Sequence, residues 1–240
     1  MSEYKHLAQC KIKLLSAYGF ELKKDMKILD FGCGKGGLVN AFNELGYDAY
    51  GCDFDDVDTI DADHYKKIEL EPYRLPYEDN SFDFVYSTSV FEHVMNKEES
   101  LKEIYRVLKP GGFTLHSLPS RYRFIEPHEK IPFGGLIHND FWIKLWAFLG
   151  VRNVFQKGLS WREVYRRDKG YFRDCLNYLS YKDFKKIILS VFSNVNIVGK
   201  EYVEIMPGGA AKLGRILHLP GYSRLLFFFR EWNIYMRKEG

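Results

Sequence analysis

The sequence lacks the features that would place it across a membrane, in an oxidising compartment or on nucleic acid. It has no run of roughly 18 apolar residues, so no segment is expected to cross a bilayer. No signal peptide is predicted at the N-terminus, where charges interrupt the apolar positions. The formal net charge of +3 is too small to indicate a nucleic-acid partner. The four cysteines have neither metal-ligand nor disulfide spacing, and together these absences predict a cytoplasmic protein with reduced thiols.

What the sequence does contain is an alternation of short apolar runs with helical patterns, which is typical of βαβ units and a parallel sheet. Strands are predicted at residues 26–32, 47–54, 66–70, 81–88, 113–119, 195–205 and 232–238. The alternation stops between residues 120 and 178, where aromatic and basic residues are dense. The chain of 240 residues is therefore predicted to form a single α/β domain, 1–240, with an insertion at 120–178 after the fifth strand.

A glycine-rich segment, Asp30-Phe31-Gly32-Cys33-Gly34-Lys35-Gly36-Gly37, lies between the first predicted strand and a helix. Glycines at this point let the backbone turn tightly and approach a ligand without an intervening Cβ atom. Asp53 ends the next strand, about 20 residues further on, where an acid can accept hydrogen bonds from ribose hydroxyls. The acidic Asp30 before the glycines suits a cationic amino-acid group better than a pyrophosphate.

Four motifs in order, DFGCGKGG, GCDF, LPYEDNSFDFVYSTSVFEHV and EIYRVLKPGG, resemble the class I S-adenosylmethionine (SAM)-dependent methyltransferases. The likeness covers about residues 26–119 and is strongest to the methyltransferase type 11-like group, which includes enzymes of ubiquinone and menaquinone biosynthesis. It implies a Rossmann-like sheet of seven strands, one of them antiparallel, with helices on both faces. It also implies SAM as cofactor and S-adenosylhomocysteine as product.

The resemblance further implies which residues contact the cofactor. The glycines would line its methionine part, Asp53 its ribose and Glu71 its adenine. Pro72 departs from the family pattern, because proline has no amide N–H to offer the adenine. The expected set is Asp30, Gly32, Cys33, Gly34, Gly36, Asp53, Phe54, Glu71, Ser87 and His93.

The segment after the fifth strand is where this fold places acceptor-binding elements, and here it carries charged and aromatic residues. Arg121, Arg123 and Glu126 are predicted to bind the acceptor. His128 is the first candidate for a general base, because histidine commonly fills that role near neutral pH. His116 and His138 are alternatives, and a structural role is open for all three histidines.

These observations predict methyl transfer to a small molecule or glycan, specifically O-methylation of a sugar or glycan precursor. Two alternatives stay open: C-methylation of a quinone- or lipid-like acceptor, and a SAM-binding module without activity. The basic, apolar stretch 212–232 allows peripheral membrane or lipid-linked contact, although a packed helix is preferred. Nothing in the sequence specifies an oligomeric state.

Two further partners are argued against. Ser87-Thr88-Ser89-Val90 stands where base-methylating relatives carry an Asn-Pro-Pro-Tyr-like motif, so no nucleic acid is expected. The acidic run from Asp53 to Asp63 lacks the turn glycine and closing glutamate of a calcium loop, so no metal site is predicted.

Overall fold

The computed structural model describes residues 2–197, 200–207, 225 and 228–240. The helices are α1 (Glu3–Ala17), α2 (Gly37–Glu44), α3 (Lys97–Val107), α4 (Asp140–Phe148), α5 (Trp161–Asp174), α6 (Tyr181–Leu189) and α7 (Lys200–Ile205). The strands are β1 (Lys27–Phe31), β2 (Asp48–Asp53), β3 (Tyr65–Lys67), β4 (Glu69–Leu70), β5 (Tyr73–Arg74), β6 (Phe82–Thr88), β7 (Leu108–Pro119), β8 (Asn194–Ile197) and β9 (Glu231–Arg237). Among the described residues, no helix combines the length and the apolar character needed to span a bilayer.

Seven of the strands form one sheet in the order β3-β2-β1-β6-β7-β9-β8. The pairings from β3 to β7 are parallel, and β9 runs antiparallel to both of its neighbours. The strand order reverses at β1 and β6, whose carboxyl ends therefore open a crevice for a ligand. The predicted seven-stranded Rossmann-like sheet with one antiparallel strand is confirmed.

The sheet is covered on both faces because successive side chains of each strand point to opposite sides. On β1, Ile28 joins a core with α1 and α2, whereas Leu29 joins a second core with α3 and α6. Phe84 and Val85 divide in the same way on β6. The two cores hold the crevice at the carboxyl ends of the strands in a fixed position.

The prediction of a sixth strand at 195–205 is wrong over most of that range. The strand ends at Ile197, and α7 follows. The alternation of Val, Ile and Tyr favours a strand, but Tyr202, Ile205 and Met206 have helical spacing and pack together on the first core. Tertiary packing therefore overrides local propensity here.

Two other strands have different bounds from those predicted. The pattern at 66–70 divides into β3 and β4, and β4 pairs with β5 in a separate two-stranded sheet. β7 begins at Leu108, five residues before the predicted start, and its first part is irregular, since Gly111 has a φ of 76° and the register against β6 shifts between Phe82 and Phe84. The stretch 212–232 lies mostly outside the described residues, so its predicted helix is not described.

The segment 120–178 contains α4 and α5, which the sequence pattern does not reveal. Its buried residues Ile131, Ile143, Phe172 and Leu176 form a third hydrophobic cluster. Arg162, Arg166, Arg167, Lys169 and Arg173 are exposed on α5, as expected for a solvated helix face. The insertion therefore has a small core of its own beside the crevice.

Candidate active site

A cavity of about 590 Å³ lies at the carboxyl ends of β1, β2 and β6. Its lining comes from the glycine loop, the end of β2, the turn after β6 and the start of α1: Tyr4, Phe31, Gly32, Cys33, Gly34, Lys35, Asp53, Phe54, Ile68, Thr88, Ser89, Val90, His93 and Val94. The volume falls within the range of small-molecule cofactor sites.

The glycine loop is shaped by left-handed backbone conformations. Gly32, Gly34 and Gly36 have φ values of 74°, 52° and 69°. A Cβ on Gly36 would lie 2.1 Å from Ile60, whereas one on Gly34 would meet no protein atom within 4 Å. Gly36 therefore allows close packing, and Gly34 leaves the backbone open to a ligand.

Asp53 holds this loop against the end of β2. Its Oδ2 accepts a hydrogen bond from the Gly34 amide at 2.7 Å, and its Oδ1 accepts one from the Phe54 amide at 2.7 Å. A carboxylate oxygen can accept more than one hydrogen bond, so both oxygens keep acceptor capacity toward the cavity. This geometry fits the predicted contact with ribose hydroxyls.

Asp30 does not line the cavity but lies beneath the glycine loop with 4% of its surface exposed. Burial raises the pKa of its carboxyl to about 7, and the Lys11 ammonium and the Tyr86 hydroxyl act in the opposite direction. Lys11 is itself buried on α1, where it donates a hydrogen bond to Thr88 Oγ1 at 3.1 Å. Asp30 thus lies behind the loop as a carboxyl that titrates near neutral pH, rather than as a contact on the cavity wall.

Three of the other predicted cofactor residues, Gly36, Glu71 and Ser87, also lie away from the cavity wall. Glu71 is exposed in the turn between β4 and β5, and Ile68 contributes to the lining instead. Ser87 is buried, and its hydroxyl is 2.7 Å from Nδ1 of His116. The neighbouring Thr88 and Ser89 line the cavity.

Two of the three candidate bases, His116 and His138, lie outside the cavity lining and contact other side chains of the protein. His116 is buried in the sheet, and burial lowers its pKa to about 3, with Lys11 acting in the same direction. An imidazole in that state does not take up a proton near neutral pH. His138 is exposed and stacks on Phe172, away from the cavity lining.

Of the three predicted acceptor-binding residues, Glu126 is buried and holds its own loop. One oxygen accepts the backbone N–H groups of His128 and Glu129, and the other accepts the Tyr178 hydroxyl at 3.0 Å. Arg121 and Arg123 are half-buried at the start of the insertion and do not line the cavity.

A polar cluster of Glu92, His93 and His128 adjoins the cavity, with His93 belonging to both. Nε2 of His93 is 3.9 Å from Oε1 of Glu92, and Nε2 of His128 is 3.8 Å from the same oxygen. Glu92 is 1% exposed, and neither of its oxygens accepts a hydrogen bond from a described residue. The ammonium of Lys97 donates instead to the carbonyls of Val94 and Asn177. Burial lowers the pKa of Lys97 to about 8, and Glu92 opposes that shift.

The insertion brings His128 to this cluster. The backbone carbonyl of Glu92 accepts a hydrogen bond from the Asn177 amide at 2.7 Å, and Nδ1 of His93 donates to the Cys175 carbonyl at 2.8 Å. Both hydrogen bonds connect the turn after β6 to the end of the insertion. The structure therefore places His128, the predicted base, beside His93, which was predicted to contact the cofactor.

Sequence reasoning missed Glu92 and Tyr4. A carboxylate directly before a histidine, on the turn after a central strand, was the available signal for Glu92. Tyr4 had no comparable signal, because it reaches the cavity only through the packing of α1 over Gly37.

Comparison with known proteins agrees with this geometry. Residues 29–116 match the family model of a methyltransferase domain. The chain is 36% identical over 123 residues to a sterol 24-C-methyltransferase of Neurospora crassa, an alignment that covers 46% of this chain and 32% of that protein. It is 30% identical over 114 residues to phosphoethanolamine N-methyltransferase 2 of Caenorhabditis elegans, which covers 43% of this chain and 26% of that protein. The chain spans about a third of the length of the curated relatives it matches.

Among solved structures, a SAM-dependent methyltransferase from Mesorhizobium loti aligns with a TM-score of 0.55 at 16% identity, covering 95% of this chain and 98% of that one. This likeness shows a shared fold, that of the class I methyltransferases. Residues 29–116 are therefore similar to a methyltransferase domain, and the fold is that of the class I SAM-dependent methyltransferases, as the four motifs predicted. The cofactor of this class is SAM, and the open backbone at Gly34 together with the acceptor oxygens of Asp53 fits it.

Proposed function

We propose that this chain transfers a methyl group from SAM to a hydroxyl of a small-molecule acceptor, with a sugar or glycan precursor as the predicted class. The observation that supports this proposal most strongly is the cavity itself. The glycine loop and Asp53 form one side, and His93 brings a cluster of two imidazoles and a carboxylate to another. Bound SAM would supply the methyl group on a sulfonium, which needs no further activation by the protein.

The chain's own residues then have two tasks, to position the acceptor and to assist the loss of its proton. A hydroxyl is a poor nucleophile until that proton leaves, and a paired imidazole and carboxylate are suited to receive it. His128 is the candidate base, and Glu92 is the carboxylate that faces it at 3.8 Å. Arg121 and Arg123 would meet the acceptor at the start of the insertion.

The direct test is a screen for transfer of a labelled methyl group from SAM into sugars, quinones and lipids. The proposal expects label in a hydroxyl-bearing acceptor and loss of that label in His128→Gln, with SAM affinity retained. His138→Gln serves as the matched control, because that histidine lies outside the cavity lining. Failure of the wild type to bind SAM in calorimetry would contradict the proposal at its base.

A second candidate, C-methylation of a lipid-like acceptor, is supported by apolar side chains exposed on the insertion. Phe141, Phe148 and Phe155 are 71%, 65% and 84% exposed, and Lys144 and Arg162 lie nearby in sequence. A basic surface with exposed aromatics is suited to an anionic membrane. Sterol methyltransferases are also among the relatives. Co-sedimentation with phosphatidylserine vesicles, reduced in Phe148→Asp/Phe155→Asp, would favour this candidate, and label found only in sugars would exclude it.

A further inference from the structure

We propose that Glu92, His93 and His128 bind a divalent transition-metal ion of the zinc class beside the cofactor cavity. Within the described part of the chain, these residues bring three ligand atoms within 4.8 Å of one another. Two neutral imidazoles and one carboxylate are a donor set that proteins use for catalytic zinc, with a further position left for water or substrate. This site differs from the acidic run after β2, where the sequence predicts no metal site.

The first argument is the unsatisfied charge of Glu92. A carboxylate that is 1% exposed and accepts no hydrogen bond from a described residue is costly unless a cation neutralises it. Nε2 of His128 is likewise buried and lacks a hydrogen-bond partner in the described part of the chain. Both unsatisfied groups face the same small space, 3.8 Å apart, where one ion would satisfy them together.

The second argument is the protonation state of His93. Its Nδ1 faces the Cys175 carbonyl at 2.8 Å, and a carbonyl can only accept, so the proton lies on Nδ1. The lone pair of a neutral ring is then on Nε2, which points toward Glu92. Metal-binding histidines in proteins usually donate their second N–H to a carbonyl or carboxylate in this way.

The third argument is that the surroundings hold the ligands in place. Glu126 accepts the backbone N–H of His128 and so fixes the loop that carries it. Bonds of about 2.0–2.2 Å in a tetrahedron separate ligand atoms by roughly 3.4 Å. The present separations of 3.8 and 3.9 Å need only a small side-chain rotation to reach that value.

His93 also lines the cavity, so the open coordination position would face the place where an acceptor is bound. A hydroxyl bound to such an ion loses its proton more readily. In this form of the site the two imidazoles are ligands, and the ion takes over the activation assigned above to His128. This consequence rests on the proposed function, whereas metal binding itself does not.

Binding is tested by titrating Zn²⁺ into the chelator-treated full chain in a calorimeter. We expect one ion per chain and a loss of affinity of at least about 10–100-fold in Glu92→Gln and in His128→Gln, since loss of even an outer-shell partner typically costs that much. His138→Gln and Cys175→Ser should bind like the wild type, because neither side chain belongs to the cluster. Absence of stoichiometric binding, or binding lost in Cys175→Ser but kept in Glu92→Gln, would overturn the proposal.

A second measurement guards against a variant that simply folds poorly. Without metal, Glu92→Gln should unfold at a higher temperature than the wild type, because it removes a buried charge that accepts no hydrogen bond from a described residue. With Zn²⁺, the order should reverse, because only the wild type gains binding energy. If Glu92→Gln is the less stable chain under both conditions, an imidazolium already neutralises Glu92 and the proposal fails. Zinc binding without any methyl transfer would contradict the proposed function alone.

Discussion

Asp30, beneath the glycine loop, and Glu92, against the insertion, are both buried carboxylates, but their surroundings differ. Asp30 faces the ammonium of Lys11 and the hydroxyl of Tyr86, both supplied by the chain. Glu92 faces two imidazoles at 3.8 and 3.9 Å and accepts no hydrogen bond from a described residue. One side of the cavity therefore has its carboxylate paired within the chain, whereas on the other side the Lys97 ammonium donates to backbone carbonyls and Glu92 has no hydrogen-bond donor among the described residues.

This difference matches the tasks of the two regions. The proposed cofactor region uses backbone amides, glycines and one carboxylate, which the chain's own hydrogen bonds hold in place. The proposed acceptor region uses side chains from segments far apart in sequence, and in our proposal their charges balance when an ion is bound. The predictions below test this contrast, from the largest expected effect to the smallest.

Replacing Lys11 should cause the largest loss. Lys11→Met leaves Asp30 buried without its cation and should lower the free energy of unfolding by about 3 kcal/mol. The pKa of Asp30 should rise above its present value of about 7, because the ammonium that lowers it is gone. Urea denaturation at neutral pH measures the loss.

The double variant Lys11→Met/Asp30→Asn is the control for this prediction. It removes both charges and should recover most of the stability. If Lys11→Met alone is as stable as the wild type, Asp30 is not balanced by Lys11 and the contrast with Glu92 disappears.

The next effect concerns cofactor affinity rather than folding. Asp53→Asn keeps one acceptor oxygen but turns an amide donor toward the N–H of Gly34 or Phe54. Loss of a charged hydrogen-bond acceptor should weaken SAM binding by about 1–3 kcal/mol in calorimetry. Asp58→Asn, in the exposed acidic run nearby, should bind SAM normally. An equal loss in both variants would mean that general negative charge, and not the Asp53 geometry, holds the cofactor.

The cofactor side was largely predictable because its signals are local in sequence. Glycines between a strand and a helix predict a tight turn, and Asp53 follows at the end of the next strand. The structure places both at the cavity. Side-chain direction is harder to predict from sequence, since Asp30 has a suitable position before the glycines but is buried away from the cavity wall.

The acceptor side was not predictable in the same way, because its geometry depends on how the insertion folds back. His128 was chosen for its chemistry, and nothing in the sequence indicated that it would meet Glu92 and His93. The helices α4 and α5 were also missed, since aromatic residues occur throughout 120–178 and no helical spacing of apolar residues stands out. Strand 195–205 failed for a related reason, because its apolar spacing fits both a strand and a helix.

The smallest expected effect is a pH dependence of the stability of the insertion. It concerns a third buried carboxyl, Glu129, which is stabilised by protonation. Glu129 lies beside Asp168 and Gln156, and burial followed by Asp168 raises the pKa of Glu129 to about 8. The folded chain therefore binds a proton that the unfolded chain releases above its ordinary pKa of 4.5. This contribution to stability is complete below about pH 4.5 and is lost as the pH rises through about 8.

We therefore expect the insertion to unfold more easily at pH 9 than at pH 6, and Glu129→Gln to reduce that difference. Trp232→Phe provides the readout, because the remaining tryptophans, Trp142, Trp146 and Trp161, all lie within the insertion. Asp30 titrates near pH 7 and Lys97 near pH 8, so the part of the change that disappears in Glu129→Gln is the part that belongs to Glu129. An unchanged pH profile in Glu129→Gln would mean that this carboxyl does not carry the proton. The proton would then lie on Asp168, the other carboxyl of this pair, whose pKa is also raised by burial.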